Sequence, residues 1–262
     1  MRLSRLTAIF CIAAFACAGC GTHYVTPAGG VALAETVGGD ADIASHYERR
    51  PASPFPANVA VIRVQGAGYE TGTNRGYGTG ELCVVTTRDV ERDEDFDKLA
   101  RMPMVAGVAP VGRLLLPPNA DSIRDLRAPA AQLRADLLLL YSIDTTFSVD
   151  GQSLGPLSLI SLGFLPNKEA HVTSTVAGVL VDVRSGYVYG SAEATRTERQ
   201  RATVWSTQQA IEASRLDAES AAFAAFVDEF GDLWSGVLDT YAATAPATPA
   251  NTVSGWYYST QP

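Results

Sequence analysis

The chain has 262 residues, of which 20 are basic and 28 acidic, so its formal net charge at pH 7 is −8. This acidic surplus argues against nucleic acid as a partner and against broad electrostatic adhesion to anionic lipid. The hydrophobic content of 47% is enough to build the core of one domain.

Residues 1–19 have the pattern of a bacterial lipoprotein signal peptide that ends immediately before Cys20. Two arginines give a positive start, Leu6–Ala18 is an apolar run too short to cross a bilayer, and small residues precede the cysteine. We therefore predict that Cys20 is lipidated and that its acyl chains anchor the protein without a transmembrane helix. The alternatives are an ordinary secretory signal or an uncleaved anchor, with Cys20 incidental. Gly21 stands where an aspartate would favour inner-membrane retention, which predicts the outer membrane, facing the periplasm.

The cysteine count agrees with this prediction. Cys11 and Cys17 would leave with the signal peptide, and Cys20 would carry lipid. The mature chain would then hold only Cys83 and could form no internal disulfide, even in an oxidising periplasm. Because Cys83 lies in an apolar run, we expect a buried, unreactive thiol rather than a nucleophile.

Two stretches without sustained periodicity flank the central part of the chain. Residues 20–57 are rich in Gly, Ala, Pro and Thr, which predicts a flexible tether behind the lipidated cysteine. Residues 242–262 are rich in Ala, Pro and Thr, which predicts a mostly disordered tail. The range 58–241 remains as a single predicted domain.

The patterns within this domain alternate between strand and helix. Strand patterns occupy Asn58–Gln65, Glu81–Thr87, Val105–Leu116 and Asp136–Val149, and helix patterns occupy 88–102 and 120–135 with a cap at Asn119. A tight turn joins two further strands, His171–Val183 and Tyr187–Thr197, into an antiparallel hairpin. An apolar stripe from Ile211 to Tyr241 predicts a long closing helix. The predicted fold is an α/β sandwich, a mixed sheet with a C-terminal antiparallel hairpin, packed by two to three helices.

The mature chain carries no metal-binding motif, and its one catalytic-type pattern lies in an unfavourable context. His23, His46 and His171 lie far apart, and the HExxH, CxxC and SxxK patterns are absent. The spacing GxSxG occurs once, as Gly151–Gly155 (GQSLG), but it follows a predicted strand without the predicted helix that a nucleophile elbow requires after the serine. The glycine-rich segment Gly66–Gly80 lacks the ending of a P-loop and precedes a strand, so phosphate binding is not favoured. Acidic residues cluster at 91, 93, 94, 95 and 97 with basic residues at 88, 92, 98 and 101 around them, and this mixed charge predicts a solvated helix face. We therefore expect no enzyme activity, no cofactor and no metal.

The apolar segment 154–165 does not fit the alternation of strands and helices. It could cap the core, form a patch that contacts a partner or lipid, or supply a pore hairpin in an oligomer. Since loops usually run over the surface, we expect Leu159, Ile160 and Phe164 to be at least partly exposed and to contact a partner, a second copy or lipid.

Two segments carry a resemblance to a superfamily of envelope lipoproteins: Leu133–Tyr141 (LRADLLLLY) and Ala177–Gly186 (AGVLVDVRSG). In that superfamily a helix enters a strand through ADxLL, and a later strand ends in LVDxxTG before its hairpin partner. Its members include the curli secretion lipoprotein, penicillin-binding-protein activator lipoproteins and the amino-terminal domain of TolB. The apolar insert and the closing helix resemble those of the rhombotarget lipoproteins.

The resemblance implies a periplasmic interaction domain on a lipid tether, with no shared catalytic residues. We therefore expect a non-enzymatic outer-membrane lipoprotein that serves as an accessory module for an envelope protein complex and can form a homo-oligomer. The alternative is an oligomeric secretion or pore component that uses the segment 154–165. The chain departs from the pore-forming curli type because it lacks two clear membrane hairpins, which weakens the channel hypothesis.

Overall fold

The computed structural model describes residues 40–149, 152–153, 169–201 and 208–243. In chain order its elements are α1 (Asp40–Glu48), β1 (Ala57–Gly66), β2 (Leu82–Val85), α2 (Asp93–Ala100), β3 (Val105–Pro110), a 3-10 turn (Arg113–Leu115), α3 (Ile123–Gln132), β4 (Leu137–Val149), β5 (Gln152–Ser153), β6 (Glu169–Asp182), β7 (Val188–Arg201), α4 (Gln208–Val237) and a π-helical turn (Leu238–Ala242). The signal peptide, Cys20 and the range 244–262 lie outside the described residues.

The described strands form one mixed sheet with the main order β2-β1-β4-β6-β7. β1 pairs in parallel with β4 on one edge. Its other edge is shared, because β3 pairs in parallel with Ala57–Val61 and β2 pairs antiparallel with Arg63–Gly66. The carboxyl ends of β2 and β3 therefore face each other, and the sheet is split beside Ile62.

The central strands are buried on both faces. Leu137–Leu140 at the start of β4 are almost fully buried, as expected for a continuous apolar run in a parallel part of a sheet. Helix α3 packs on one face of the sheet, against β1 and β4. Helix α4 packs on the opposite face, against β4, β6 and β7. The helix α4 places an aromatic row in this core, Phe223, Phe226, Phe230 and Trp234.

The predicted hairpin and long closing helix are confirmed. β6 and β7 pair antiparallel along almost their whole length, and Gly186 takes a positive φ of 73° in the turn between them. Helix α4 runs without interruption past Gly231 and Gly236 and ends in the π-helical turn. The α/β sandwich with a mixed sheet is therefore the observed fold, and α2, α3 and α4 are the helices that pack on it.

The packed fold begins before the predicted boundary at Asn58. The carboxylate of Asp182, at the end of β6, accepts hydrogen bonds from the Ala52 N–H at 2.7 Å and from the Ser53 hydroxyl at 2.8 Å. Phe55 is buried with its ring 5.7 Å from that of Trp234. The last residues of the predicted tether 20–57 are thus fixed to the domain. The local sequence could not show this, because the hydrogen-bond acceptor is the carboxylate of Asp182, far along the chain.

Helix α3 begins later than the sequence pattern indicates. Ser122, not Asn119, is its N-cap, and Asp125 completes a capping box by accepting from the Ser122 N–H at 3.1 Å. Among the described residues, no helix is long and apolar enough to cross a membrane.

Candidate functional site

Six charged side chains meet in the space between β1 and α4, within the predominantly apolar interior. We call this group the charge cluster, and its members are Arg63, Asp89, Glu91, Glu212, Arg215 and Glu219. Isolated charges in such a position are costly, so each must be paired.

Arg63 joins the carboxylates that come from different parts of the chain. It lies in the middle of β1, and only 1% of its side chain is exposed. Its Nη1 lies 3.2 Å from Asp89 Oδ1 and 3.4 Å from Glu91 Oε1, and its Nη2 lies 3.5 Å from Glu219 Oε2. Burial lowers the pKa of Arg63, but the negative charge of Glu91 and its neighbours outweighs burial and raises that pKa above its ordinary value.

Helix α4 contributes the second arginine. Arg215 donates through Nη1 to Glu219 Oε2 at 2.6 Å and through Nη2 to Glu212 Oε1 at 2.7 Å. The i, i+4 spacing of Arg215 and Glu219 places both on the same side of the helix. Burial lowers the pKa of Arg215, whereas hydrogen bonds to Glu212 and Glu219 raise it, and the net result is a raised pKa.

Neutral hydroxyl groups complete several of the remaining bonds. Tyr141 donates to Glu91 Oε1 at 2.6 Å, and Thr145 donates to Glu219 Oε1 at 2.9 Å. Burial and the adjacent charge of Glu91 raise the pKa of Tyr141 well above its ordinary value, which keeps its phenol a proton donor. These bonds hold the carboxylates in fixed orientations.

Three polar atoms of the cluster are left without a hydrogen-bond partner in the part of the chain that the structure describes. They are Arg63 Nε, Glu91 Oε2 and Asp89 Oδ2, and each is buried. The cluster contains four carboxylates and two guanidinium groups, which gives it a formal charge of −2. The charge cluster therefore has both unmade hydrogen bonds and a surplus of negative charge.

A cleft at the split edge of the sheet leads to this cluster. It opens where β2 and β3 end facing each other, and Arg63, Glu91 and Tyr141 lie at its floor. Its walls are mostly apolar and its rim is polar; the lining comprises Val61, Ile62, Val84, Val85, Phe96, Pro110, Val111, Thr86, Thr87 and Arg88. The carboxyl ends of strands around a break in strand order are a frequent place for ligand sites in α/β proteins.

The predicted solvated face over 91–97 is wrong for two of its acidic residues. Glu91 is buried in the charge cluster. Asp95 is buried at the start of α2, where it accepts from the Arg92 N–H at 3.1 Å. The mixed charge of this segment indicated solvent exposure, but Glu91 precedes the helix and accepts from Arg63, which lies 28 residues earlier in the chain.

Sequence reasoning missed Arg63, Arg215 and Glu219 as members of a site. One signal was present for Arg63, which is the only charge in the apolar strand pattern NVAVIRVQ. The second signal was helical spacing. Arg215 follows the apolar Ile211 by four residues and Glu219 precedes the apolar Phe223 by four, so both charges lie on the apolar stripe of the helix. Charges on the apolar stripe of an amphipathic helix face the core.

The other predicted sites have different outcomes. Cys83 is a buried free thiol that donates to the Gly66 carbonyl at 3.0 Å, and burial raises its pKa, as expected for an inert cysteine. The predicted contact residues Leu159, Ile160 and Phe164 lie outside the described residues, as does Cys20. Within the described ranges, no group of three or more His, Cys, Asp or Glu side chains could hold a metal ion.

Comparison with known proteins gives only weak likenesses. No protein-family model matches the chain, and no curated protein matches it. A crystal structure of a Xanthomonas campestris protein of family DUF330 is 14% identical with a TM-score of 0.34, over 73% of this chain and 93% of that one. A Caulobacter crescentus structure described as a candidate lipoprotein is 16% identical with a TM-score of 0.24, over 45% and 86% of the respective chains. At these TM-scores neither likeness assigns a family or a function.

Proposed function

We propose that the protein is a lipid-anchored lipoprotein of the bacterial envelope, and that its α/β domain is a non-enzymatic binding module. The observation that carries the anchoring is the cysteine at position 20, which follows a short apolar run and two small residues. Several acyl chains on one cysteine provide stable attachment to a membrane.

The described domain supports a binding role. Its two-sided core fixes the strands around the charge cluster, so the cleft at the split edge is held in place by packed elements. A rigid pocket with a few oriented polar groups is the usual form of a ligand site.

We further propose that the anchor is in the outer membrane and that the domain serves an envelope protein complex. Leu159, Ile160 and Phe164 are the proposed partner contacts, because an apolar segment between two strands is unusual for a loop that meets water. An oligomeric secretion or pore component that uses the same segment is the alternative.

Metabolic labelling with a fatty acid tests the anchoring. Wild-type protein should take up the label and sediment with membranes, whereas Cys20→Ser should take up none and appear in the soluble periplasmic fraction. Cys17→Ala is the matched control, since it removes a cysteine three residues earlier and should leave labelling unchanged. Wild-type protein without label, or a Cys20→Ser protein that stays in the membrane, would contradict the proposal.

Crosslinking in intact cells tests the partner contacts. Replacing Leu159, Ile160 and Phe164 together with Ser should leave the melting temperature nearly unchanged but abolish crosslinked complexes. Leu114→Ser is the control, because Leu114 is a fully exposed leucine of the described domain and should not affect the complexes. If the triple variant unfolds, the segment belongs to the core and the interaction surface lies elsewhere.

A further inference from the structure

Arg63 Nε and Glu91 Oε2, at the floor of the cleft, have no hydrogen-bond partner among the described residues. They determine which donor and acceptor groups a ligand of the cleft must supply. Glu91 Oε2 can only accept a hydrogen bond while its carboxyl is ionised, and Arg63 Nε–H can only donate one. Each side chain is only 1% exposed, so neither atom is bathed in bulk solvent. A complete site therefore contains a donor against Glu91 and an acceptor against Arg63.

The charge of the cluster indicates that the donor is a cation. Four carboxylates face two guanidinium groups, and a buried surplus of negative charge is stabilised by a positive partner. Arg88 at the rim is not one of the six cluster residues; its guanidinium is 3.0 Å from Asp93 and lies over the ring of Phe96 at 5.3 Å. A cation in the cleft would offset the negative surplus of the six cluster residues.

The dimensions of the cleft limit the size of that group. The space open to water-sized groups is about 30 Å³. A water needs about 10–15 Å³ by the same measure, so the closed floor holds one ammonium group and one water, and an alkyl chain attached to the ammonium must extend along the walls toward the opening. The apolar walls at Val85 and Val111 are suited to methylene groups rather than to a second charge.

We propose that this cleft binds a primary ammonium group on an alkyl chain. The ammonium donates to Glu91 Oε2, its methylenes lie against Val85 and Val111, and a water accepts from Arg63 Nε. This inference rests on the proposed role of the domain as a binding module. A small free amine and the lysine side chain of a partner protein carry the same head group, and the experiment distinguishes them.

The probe is n-butylammonium chloride, added to the full-length protein in detergent at constant ionic strength while thermal unfolding is recorded. A ligand that binds only the folded state raises the melting temperature in a saturable way. We expect such a rise with n-butylammonium and none with tetramethylammonium chloride, which has the same charge but no N–H donor. Glu91→Gln should abolish the rise, and Glu70→Gln in an exposed ion pair should retain it.

A second variant keeps the proposal testable if Glu91→Gln does not fold. Thr86→Tyr adds bulk at the exposed rim of the cleft and should also abolish the response, whereas Thr197→Tyr adds the same bulk on the exposed part of β7 and should not. Equal responses to the two ammonium salts, or an unchanged response in Thr86→Tyr, would overturn the assignment. Because labelling at Cys20 is measured separately, failure of the amine test is distinguishable from failure of the anchoring.

A lysine-containing tripeptide with blocked ends identifies the source of the ammonium. If it stabilises the protein and its ε-acetylated form does not, the cleft accepts a lysine of a partner. If only the free amine stabilises the protein, the natural occupant is a small amine. Binding of neither, or equal binding of the acetylated peptide, would contradict the proposal.

Discussion

Replacing Glu219 with Gln tests the energetic importance of the charge cluster. The carboxylate of Glu219 lies 2.6 Å from Arg215 Nη1 and 3.5 Å from Arg63 Nη2, and both arginines are almost fully buried. The substitution keeps the shape of the side chain but removes the carboxylate that Arg215 and Arg63 share, and one of its oxygens becomes an amide NH₂ group that cannot accept a hydrogen bond from the arginines or from Thr145. Breaking a buried ion pair by removing one partner costs about 3–5 kcal/mol.

This cost translates into a large fall in thermal stability. For a domain of this size, about 1 kcal/mol shifts the melting temperature by about 2–4 °C, so we expect a decrease of about 6–20 °C. Asp228→Asn on the same helix is the control, because Asp228 and its partner Lys98 are both more than half exposed. An exposed pair contributes no more than about 1 kcal/mol.

Thermal and urea unfolding of both variants, followed by circular dichroism, measure the difference. A Glu219→Gln protein that melts at the same temperature as Asp228→Asn would refute the reasoning. Such a result would mean that the buried carboxylate does not offset the desolvation of the two arginines.

Three further predictions concern other parts of the fold. Burial raises the pKa of Asp182, but hydrogen bonds from the Ser185 and Ala52 N–H groups outweigh burial and lower that pKa. The ionised carboxylate therefore stabilises the fold above about pH 4, and this stabilisation is lost as the pH falls through the lowered pKa. In acid titrations, Asp182→Asn should destabilise the protein at pH 7 and much less near pH 2. Gly178→Ala would place a methyl group 2.6 Å from the Phe226 ring and should cost about 1–3 kcal/mol in urea unfolding, whereas Gly236→Ala meets no atom within 4 Å and should stabilise α4 by up to about 1 kcal/mol. Cys83→Ala should cost about 1 kcal/mol, and native Cys83 should react slowly with a thiol reagent; fast labelling would contradict its burial.

Local patterns were sufficient to predict most elements of the fold. The apolar run at the start of β4, the tight turn before β7 and the stripe of α4 each contain their signal within a few residues. The parallel pairing of β1 with β4 was not among these predictions, although the apolar run at the start of β4 is typical of a parallel part of a sheet.

Long-range contacts could not be predicted in the same way. Ser53 is fixed by Asp182, which lies 129 residues later, and Glu91 meets Tyr141, which lies 50 residues later. A tether rich in proline and a helix rich in charge have ordinary sequences for exposed segments. Only the position of the acceptor or donor in the folded chain makes these residues part of the core.

The split edge of the sheet was also beyond local reasoning. β2 lies within the predicted strand Glu81–Thr87. β3 is only the first half of the predicted strand Val105–Leu116, because the 3-10 turn Arg113–Leu115 replaces the second half. Nothing in either sequence indicates that both strands pair with β1 on the same edge. The cleft exists because of that shared edge. The lone arginine in the β1 pattern is the residue from which the site could have been suspected.

The mass of the amino-terminal peptide of the mature protein tests the central claim most directly. Protein purified from membranes and digested with a protease should give an amino-terminal peptide that begins at Cys20. Its mass should exceed the peptide mass by that of a diacylglyceryl group and an amide-linked fatty acid. An amino terminus at any other residue, or an unmodified Cys20, would contradict the account of a lipid-anchored envelope protein.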